Sequence, residues 1–154
     1  MAKMIAMQMT PVLNSVVSPY QHGFIKGRNI YDNILTAMVG MEYAQFTKQE
    51  CVLLQLDLDK AYDWITWLFV SEVLKKFGFG PRICNAIYTM GARSSSALLF
   101  NTVVVGEFQV KRSIWQGCPL APLLFVACIH PLVALMEATT PKKEILGLSL
   151  LNGD

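Results

Sequence analysis

Residues 51–57, Cys-Val-Leu-Leu-Gln-Leu-Asp, constrain the fold more than any other stretch of the chain. A short apolar run with polar flanks fits a strand buried in a sheet. This run ends in acid, and the acids continue with Asp57, Asp59 and Asp63. A carboxylate at the end of a buried strand is costly unless a cation or water meets it. The stretch therefore asks for a sheet whose strand end opens on a polar site. Mg2+ suits such a site, being a hard ion often held by one or two carboxylates plus substrate phosphates. An EF-hand is excluded, because no glycine takes the turn and the twelfth position is Leu68. The structural alternative has Asp59 or Asp63 capping the following helix and Asp57 ending the strand in solvent.

The rest of the pattern mixes helices with a few separated strands. Residues 2–17 have helical apolar spacing, with Pro11 expected to break the middle. Residues 18–28 are rich in turn formers. Asn29 is a good N-cap for a helix to about Lys48, and Thr66–Phe77 reads as an amphipathic helix closed by Gly78. Another helix follows Pro81. Residues 96–100 and 102–110 are β-like, joined at Asn101 and divided by Gly106. Gln116-Gly117-Cys118-Pro119 is a turn, with Pro119 suited to the first turn of a helix to about Ala138. Residues 145–151 form a last strand candidate. This order fits an α+β domain, with helices packed on a small, mainly antiparallel sheet, better than strict βαβ alternation.

The 154 residues are 53% hydrophobic and 16% charged, with a formal net charge of +2. That excludes intrinsic disorder and gives no bulk electrostatic grip on nucleic acid, although local basic patches remain available. The longest apolar segment, Leu123–Met136, is interrupted by His130 and Pro131 and reads as a core helix rather than a membrane span. No apolar stretch near the N-terminus has the length of a signal sequence. Cys51, Cys84, Cys118 and Cys128 are scattered without metal-ligand spacing and read as reduced thiols.

Three strings in order carry a family resemblance. The string Leu56-Asp57-Leu58-Asp59-Lys60-Ala61-Tyr62-Asp63 resembles the first catalytic motif of the reverse transcriptases of non-LTR (LINE-like) retrotransposons. Gln21-His22-Gly23-Phe24-Ile25-Lys26-Gly27-Arg28, followed by Asp32-Asn33-Ile34, resembles the family's fingers motif. Gln116-Gly117-Cys118-Pro119-Leu120-Ala121-Pro122-Leu123-Leu124-Phe125 resembles its second palm motif. The resemblance implies a partial right-hand polymerase, fingers-like over 1–50 and palm-like over 51–154, truncated before the Asp-Asp hairpin. It implies Asp57 as catalytic, metal-binding aspartate and the Leu58 carbonyl as a second metal ligand. Tyr62 becomes the steric gate that excludes a ribose 2′-hydroxyl. Gln116 and Gly117 lie against nucleotide and template, and Arg28 contacts phosphate or template. Phe24 is expected to anchor the core.

The implied partners are an RNA template, a DNA primer and dNTP, and no membrane; the implied cofactor is Mg2+, held weakly here. The implied setting is intracellular, in nucleus or cytoplasm. The reaction would be two-metal, template-directed deoxynucleotidyl transfer. This chain departs from the family where Arg112-Ser113-Ile114-Trp115 replaces the usual Arg-Gly-apolar-basic sequence. Without the Asp-Asp motif it is expected to be inactive alone and to self-associate through exposed apolar surface. The alternative is a non-catalytic nucleic-acid-binding or scaffolding module derived from such a polymerase, gripping through Lys26, Arg28, Lys111 and Arg112. A helical interaction protein would explain the hydrophobicity but not three ordered motifs.

Overall fold

The computed structural model describes residues 1–139 and residue 148. Five helices and one hairpin follow in order: α1 (Ala2–Val16), α2 (Ile30–Thr47), α3 (Trp67–Lys76), α4 (Pro81–Ala92), β1 (Ser95–Phe100), β2 (Val103–Gln109) and α5 (Ala121–Thr139). The class is α+β, as the sequence predicts. The strand expected over 145–151 lies outside the described residues apart from Leu148.

Helices pack on helices to make the core. Ile5, Ala6, Met9 and Leu13 form the buried stripe of α1, and Val70, Val73 and Leu74 that of α3. Cys84 and Ile87 come from α4, and Leu123, Leu124, Val126, Ala127 and Cys128 from the first half of α5. Ile114 and Leu120, from the loop before α5, are each 1% exposed and tie that loop into the same cluster. Burial pushes the Cys128 thiol up to about 12 and raises that of Cys84.

Local chemistry explains most helix ends. Asn29 Oδ1 accepts from the Tyr31 N–H at 3.1 Å and starts α2. Thr66 Oγ1 accepts from the Phe69 N–H and starts α3, so neither Asp59 nor Asp63 is that cap. Gly78, at φ +82°, follows α3 in the left-handed conformation that glycine adopts without strain. Pro11 does not break α1, contrary to expectation. It removes one N–H from an exposed face, where water meets the carbonyl left over, and the buried stripe holds the helix together.

Gly91 marks the closest approach in the core. A Cβ there would lie 2.0 Å from Trp67 Cδ2, so only glycine lets α4 meet that ring. Trp67 in turn packs against Trp115, with ring centroids 4.9 Å apart. The hairpin stands apart from this core. Its strands pair antiparallel from Ser95↔Gln109 to Phe100↔Val103, with a bulge opposite Leu98/Leu99, and all of their residues are exposed. Asn101 and Thr102, both at positive φ, make the two-residue turn that such a hairpin favours.

Two other sequence expectations fail. Residues 51–57 form no strand and are exposed throughout. A strand needs a hydrogen-bonded neighbour, and among the described residues the β1–β2 pair is the whole of the sheet. Phe24 is 60% exposed at φ +61°, and its neighbour Ile25 takes the buried place. The expected core helix 123–136 is half realised, since Leu132, Leu135 and Met136 face outward. By length and composition α5 passes as a membrane span, the one such helix among the described residues. Its first half is packed in the core, and its second half carries Glu137 and His130, both hydrogen-bonded to Ser18.

Candidate functional site

A cleft of about 370 Å³ is lined by Tyr62, Gln116, Gly117, Cys118, Pro119, Ala121 and Pro122. Its two walls come from separate motifs. The Tyr62 ring stacks on Phe125 of α5, centroids 5.0 Å apart and planes 26° from parallel. Core packing and cleft lining thus share one side chain. The Tyr62 carbonyl accepts the Ile114 N–H at 3.0 Å, and the Ile65 carbonyl accepts the Ser113 N–H at 3.0 Å. These bonds zip residues 62–65 to 113–114 and bring Gln116 to the same opening as Tyr62.

Gly117 sits at φ +78°, a conformation that suits glycine, and the turn it makes directs the chain into α5. Trp115, immediately before the turn, rests on buried Trp67. Opposite the turn, Asp63 accepts a hydrogen bond from the Ser113 hydroxyl at 2.9 Å. The Arg112 guanidinium lies 4.4 Å from the centroid of the Trp64 ring, within cation–π range.

The other site candidates lie elsewhere. Asp57 and Leu58 are in the exposed 51–60 segment and do not line the cleft. Among the described residues, no three His, Cys, Asp or Glu side chains come close enough to hold a metal together. One carboxylate and one carbonyl fall short of the set Mg2+ needs without substrate phosphates and water. These residues alone do not build the metal site.

Arg28 has a different set of partners from those expected. Its guanidinium donates to four main-chain carbonyls: Ser18, Gln21 at 2.7 Å, Val17 at 3.3 Å and Asn14 at 3.4 Å. It binds the end of α1 to the turns of the 21–28 segment, where Gln21 Nε2 also donates to the Gly23 carbonyl. The side chains that sequence reasoning missed are Ser113, Trp115 and Phe125. Each carried a signal: Ser113 and Trp115 stand where the resembled family has glycine and a basic residue, and Phe125 closes the second palm-like string.

Residues 1–148 match the family described as reverse transcriptase (RNA-dependent DNA polymerase). The chain belongs to that family. It is 29% identical over 153 residues to the transposon TX1 uncharacterized 149 kDa protein of Xenopus laevis, a match covering 99% of this chain and 11% of that protein. It is 24% identical over 115 residues to the retrovirus-related Pol polyprotein from type-2 retrotransposable element R2DM of Drosophila melanogaster, covering 73% of this chain and 11% of that protein. Both relatives are non-LTR retrotransposon proteins, and this chain spans about a ninth of the length of each. Family membership implies a divalent-metal requirement and nucleic-acid template and primer as partners in general.

Proposed function

We propose that this reverse transcriptase chain is a fingers-and-palm portion of an RNA-directed DNA polymerase, with 1–50 fingers-like and 51–154 palm-like. The carrying observation is the shared cleft: Tyr62 from the first motif and Gln116 and Gly117 from the second line one opening. In this reading the cleft receives the sugar and base of a deoxynucleoside triphosphate. Tyr62, held from behind by Phe125, rejects a 2′-hydroxyl by clash. Backbone N–H groups at the start of α5 suit a phosphate. In a complete polymerase, Asp57 and the Leu58 carbonyl would be among the groups holding the metal ions, which would supply the charge stabilisation for deoxynucleotidyl transfer on an RNA template with a DNA primer. Arg28, which ties the fingers-like segment to the end of α1, is the candidate there for a phosphate or template contact. The origin of the relatives supports an intracellular setting.

The described residues hold too few carboxylates together to bind the ions, so the 154-residue chain alone is expected to bind Mg2+ weakly and to make no DNA. The test extends the transcript's reading frame past codon 154 and assays primer extension on RNA. An extended chain that carries an aromatic-Ala-Asp-Asp string and polymerises, with activity abolished by Asp57→Ala, supports the reading. Polymerisation that survives Asp57→Ala refutes the assignment of Asp57. The second reading is a non-catalytic nucleic-acid-binding module. It is favoured by the same shortage of ligands and by exposed Lys26, Lys111 and Arg112. Salt-dependent binding to an RNA–DNA hybrid without synthesis, from a frame that stops at codon 154, would select it.

A further inference from the structure

Residues 62–66 and 112–114 run antiparallel, with a bridge at Thr66 and Arg112 in addition to the two backbone hydrogen bonds described above. A side-chain bond crosses the same seam, from the Ser113 hydroxyl to Asp63 Oδ1 at 2.9 Å. Ser113 holds φ at +103°, a conformation that strains any residue with a Cβ and that glycine adopts freely. Such strain persists only where neighbouring contacts over-determine it. The Ser113 hydroxyl has two acceptors, the Asp63 carboxylate and the Ile114 carbonyl at 3.4 Å. The carboxylate is nearer and charged, so it dominates. Asp63 is itself fixed by a turn, its N–H donating to the Lys60 carbonyl at 2.8 Å.

We infer that Asp63 and Ser113 are positioning residues, whose hydrogen bond sets the height of the Tyr62 ring over the cleft and so tunes selection between deoxyribose and ribose. The inference rests on the nucleotide reading of the cleft. Tyr62 precedes Asp63 in the chain, and its carbonyl is bonded to the residue after Ser113. Phe125 supports the ring from one side. The clasp supplies the restraint along the seam. Without it, the two backbone bonds and the Thr66–Arg112 bridge still join the two segments, but no side chain ties the 60–63 turn to Ser113, and the ring keeps only its stacking contact with Phe125.

The test uses the 154-residue chain and its Ser113→Ala, Ser113→Gly, Asp63→Ala, Asp63→Asn and Tyr62→Val variants. NMR reads the Tyr62 ring resonances, the amide exchange of Ile114, and the relative affinities for dCTP and CTP, which differ only at the 2′ position. Ser113→Ala and Asp63→Ala are expected to shift the ring resonances and to speed Ile114 exchange roughly threefold to tenfold, the effect of one lost hydrogen bond. They should narrow the dCTP-over-CTP preference by a similar factor, about threefold to tenfold. Asp63→Asn keeps an acceptor oxygen and should retain most of the preference. Ser113→Gly relaxes the backbone and should melt above Ser113→Ala while still showing the shifted ring, which separates positioning from stability. Unchanged ring resonances and exchange in both alanine variants overturn the clasp. A preference absent from the wild type, or untouched by Tyr62→Val, overturns the nucleotide reading and the selectivity claim with it.

Discussion

The same substitution, glycine to alanine, should have opposite effects at two helical positions of this chain. At Gly91 a new Cβ would meet three carbons of the Trp67 indole at 2.0, 2.2 and 2.3 Å. Carbon atoms pack at about 3.5–4.0 Å. Either α4 or the ring must therefore give by about 1.5 Å, taking the lower contact limit against the shortest distance. Trp67 is 2% exposed and rests on Trp115, so the ring has no free side to move into. Overpacking of this kind costs about 1–3 kcal/mol, and a clash this deep belongs at the upper end. Alanine returns about 0.5–1 kcal/mol through helix propensity. The expected net loss is about 2 kcal/mol, or roughly 4–8 °C in Tm for a chain of this size. At Gly40, in α2, a Cβ meets nothing within 4 Å. Only the propensity gain remains there, and Tm should rise by about 1–4 °C. Thermal unfolding followed by far-UV circular dichroism reads both. A Gly91→Ala chain as stable as Gly40→Ala would refute the close approach of α4 to Trp67, and with it the support for Trp115 and the turn at Gln116.

Arg28→Met strips the donors from four carbonyls, Asn14 and Val17 at the end of α1 and Ser18 and Gln21 in the turns after it. It should cost about 1–3 kcal/mol in urea unfolding; a neutral result would mean that water serves those carbonyls equally well. Alkylation at pH 8 should label exposed Cys51 first and Cys128 last, because the Cys128 thiol is pushed up to about 12. The unfolded chain, with an ordinary thiol near 9.0, loses that proton first, so stability is fully present below pH 9 and falls as pH rises toward 12. Cys128→Ala should flatten that slope. Light scattering across a concentration series should show growing mass, since Phe46, Val52 and Leu54 are 84%, 92% and 72% exposed. A monodisperse monomer at high concentration would contradict this.

The helices were legible because their signals are local. Asn29, Thr66, Gly78 and Pro81 act within one turn of the residues that they cap or stop. The hairpin was legible for the same reason, through Asn101 and the bulge near Gly106. Strand 51–57 was misread because its apolar pattern states a preference for burial without supplying a partner, and no described segment pairs with it. The main-chain partners of Arg28 were not legible, because a basic residue in a glycine-rich turn looks free in sequence. Its four acceptors belong to residues 14–21 and become neighbours only when α1 ends where it does.

The cleft shows what sequence order alone leaves out. The motifs placed Tyr62 and Gln116 in one function, but their meeting depends on packing residues, most of them outside the motifs. Gly91 lets α4 approach Trp67, Trp67 carries Trp115, and Trp115 precedes Gln116. On the other wall Phe125 backs Tyr62, and Ile114, 1% exposed, locks the connecting loop into the core while its N–H holds the Tyr62 carbonyl. The lining of the cleft is thus coupled to the helical core, whereas α2, the 51–60 segment and the hairpin contribute no lining residue. Damage to the core should therefore reach the cleft before damage to those outer elements does. Asp57 lies on the loosely held side of that division. Among the described residues, none of 51–58 belongs to the core cluster, so Gly91→Ala should disturb Tyr62 and Gln116 before it disturbs Asp57.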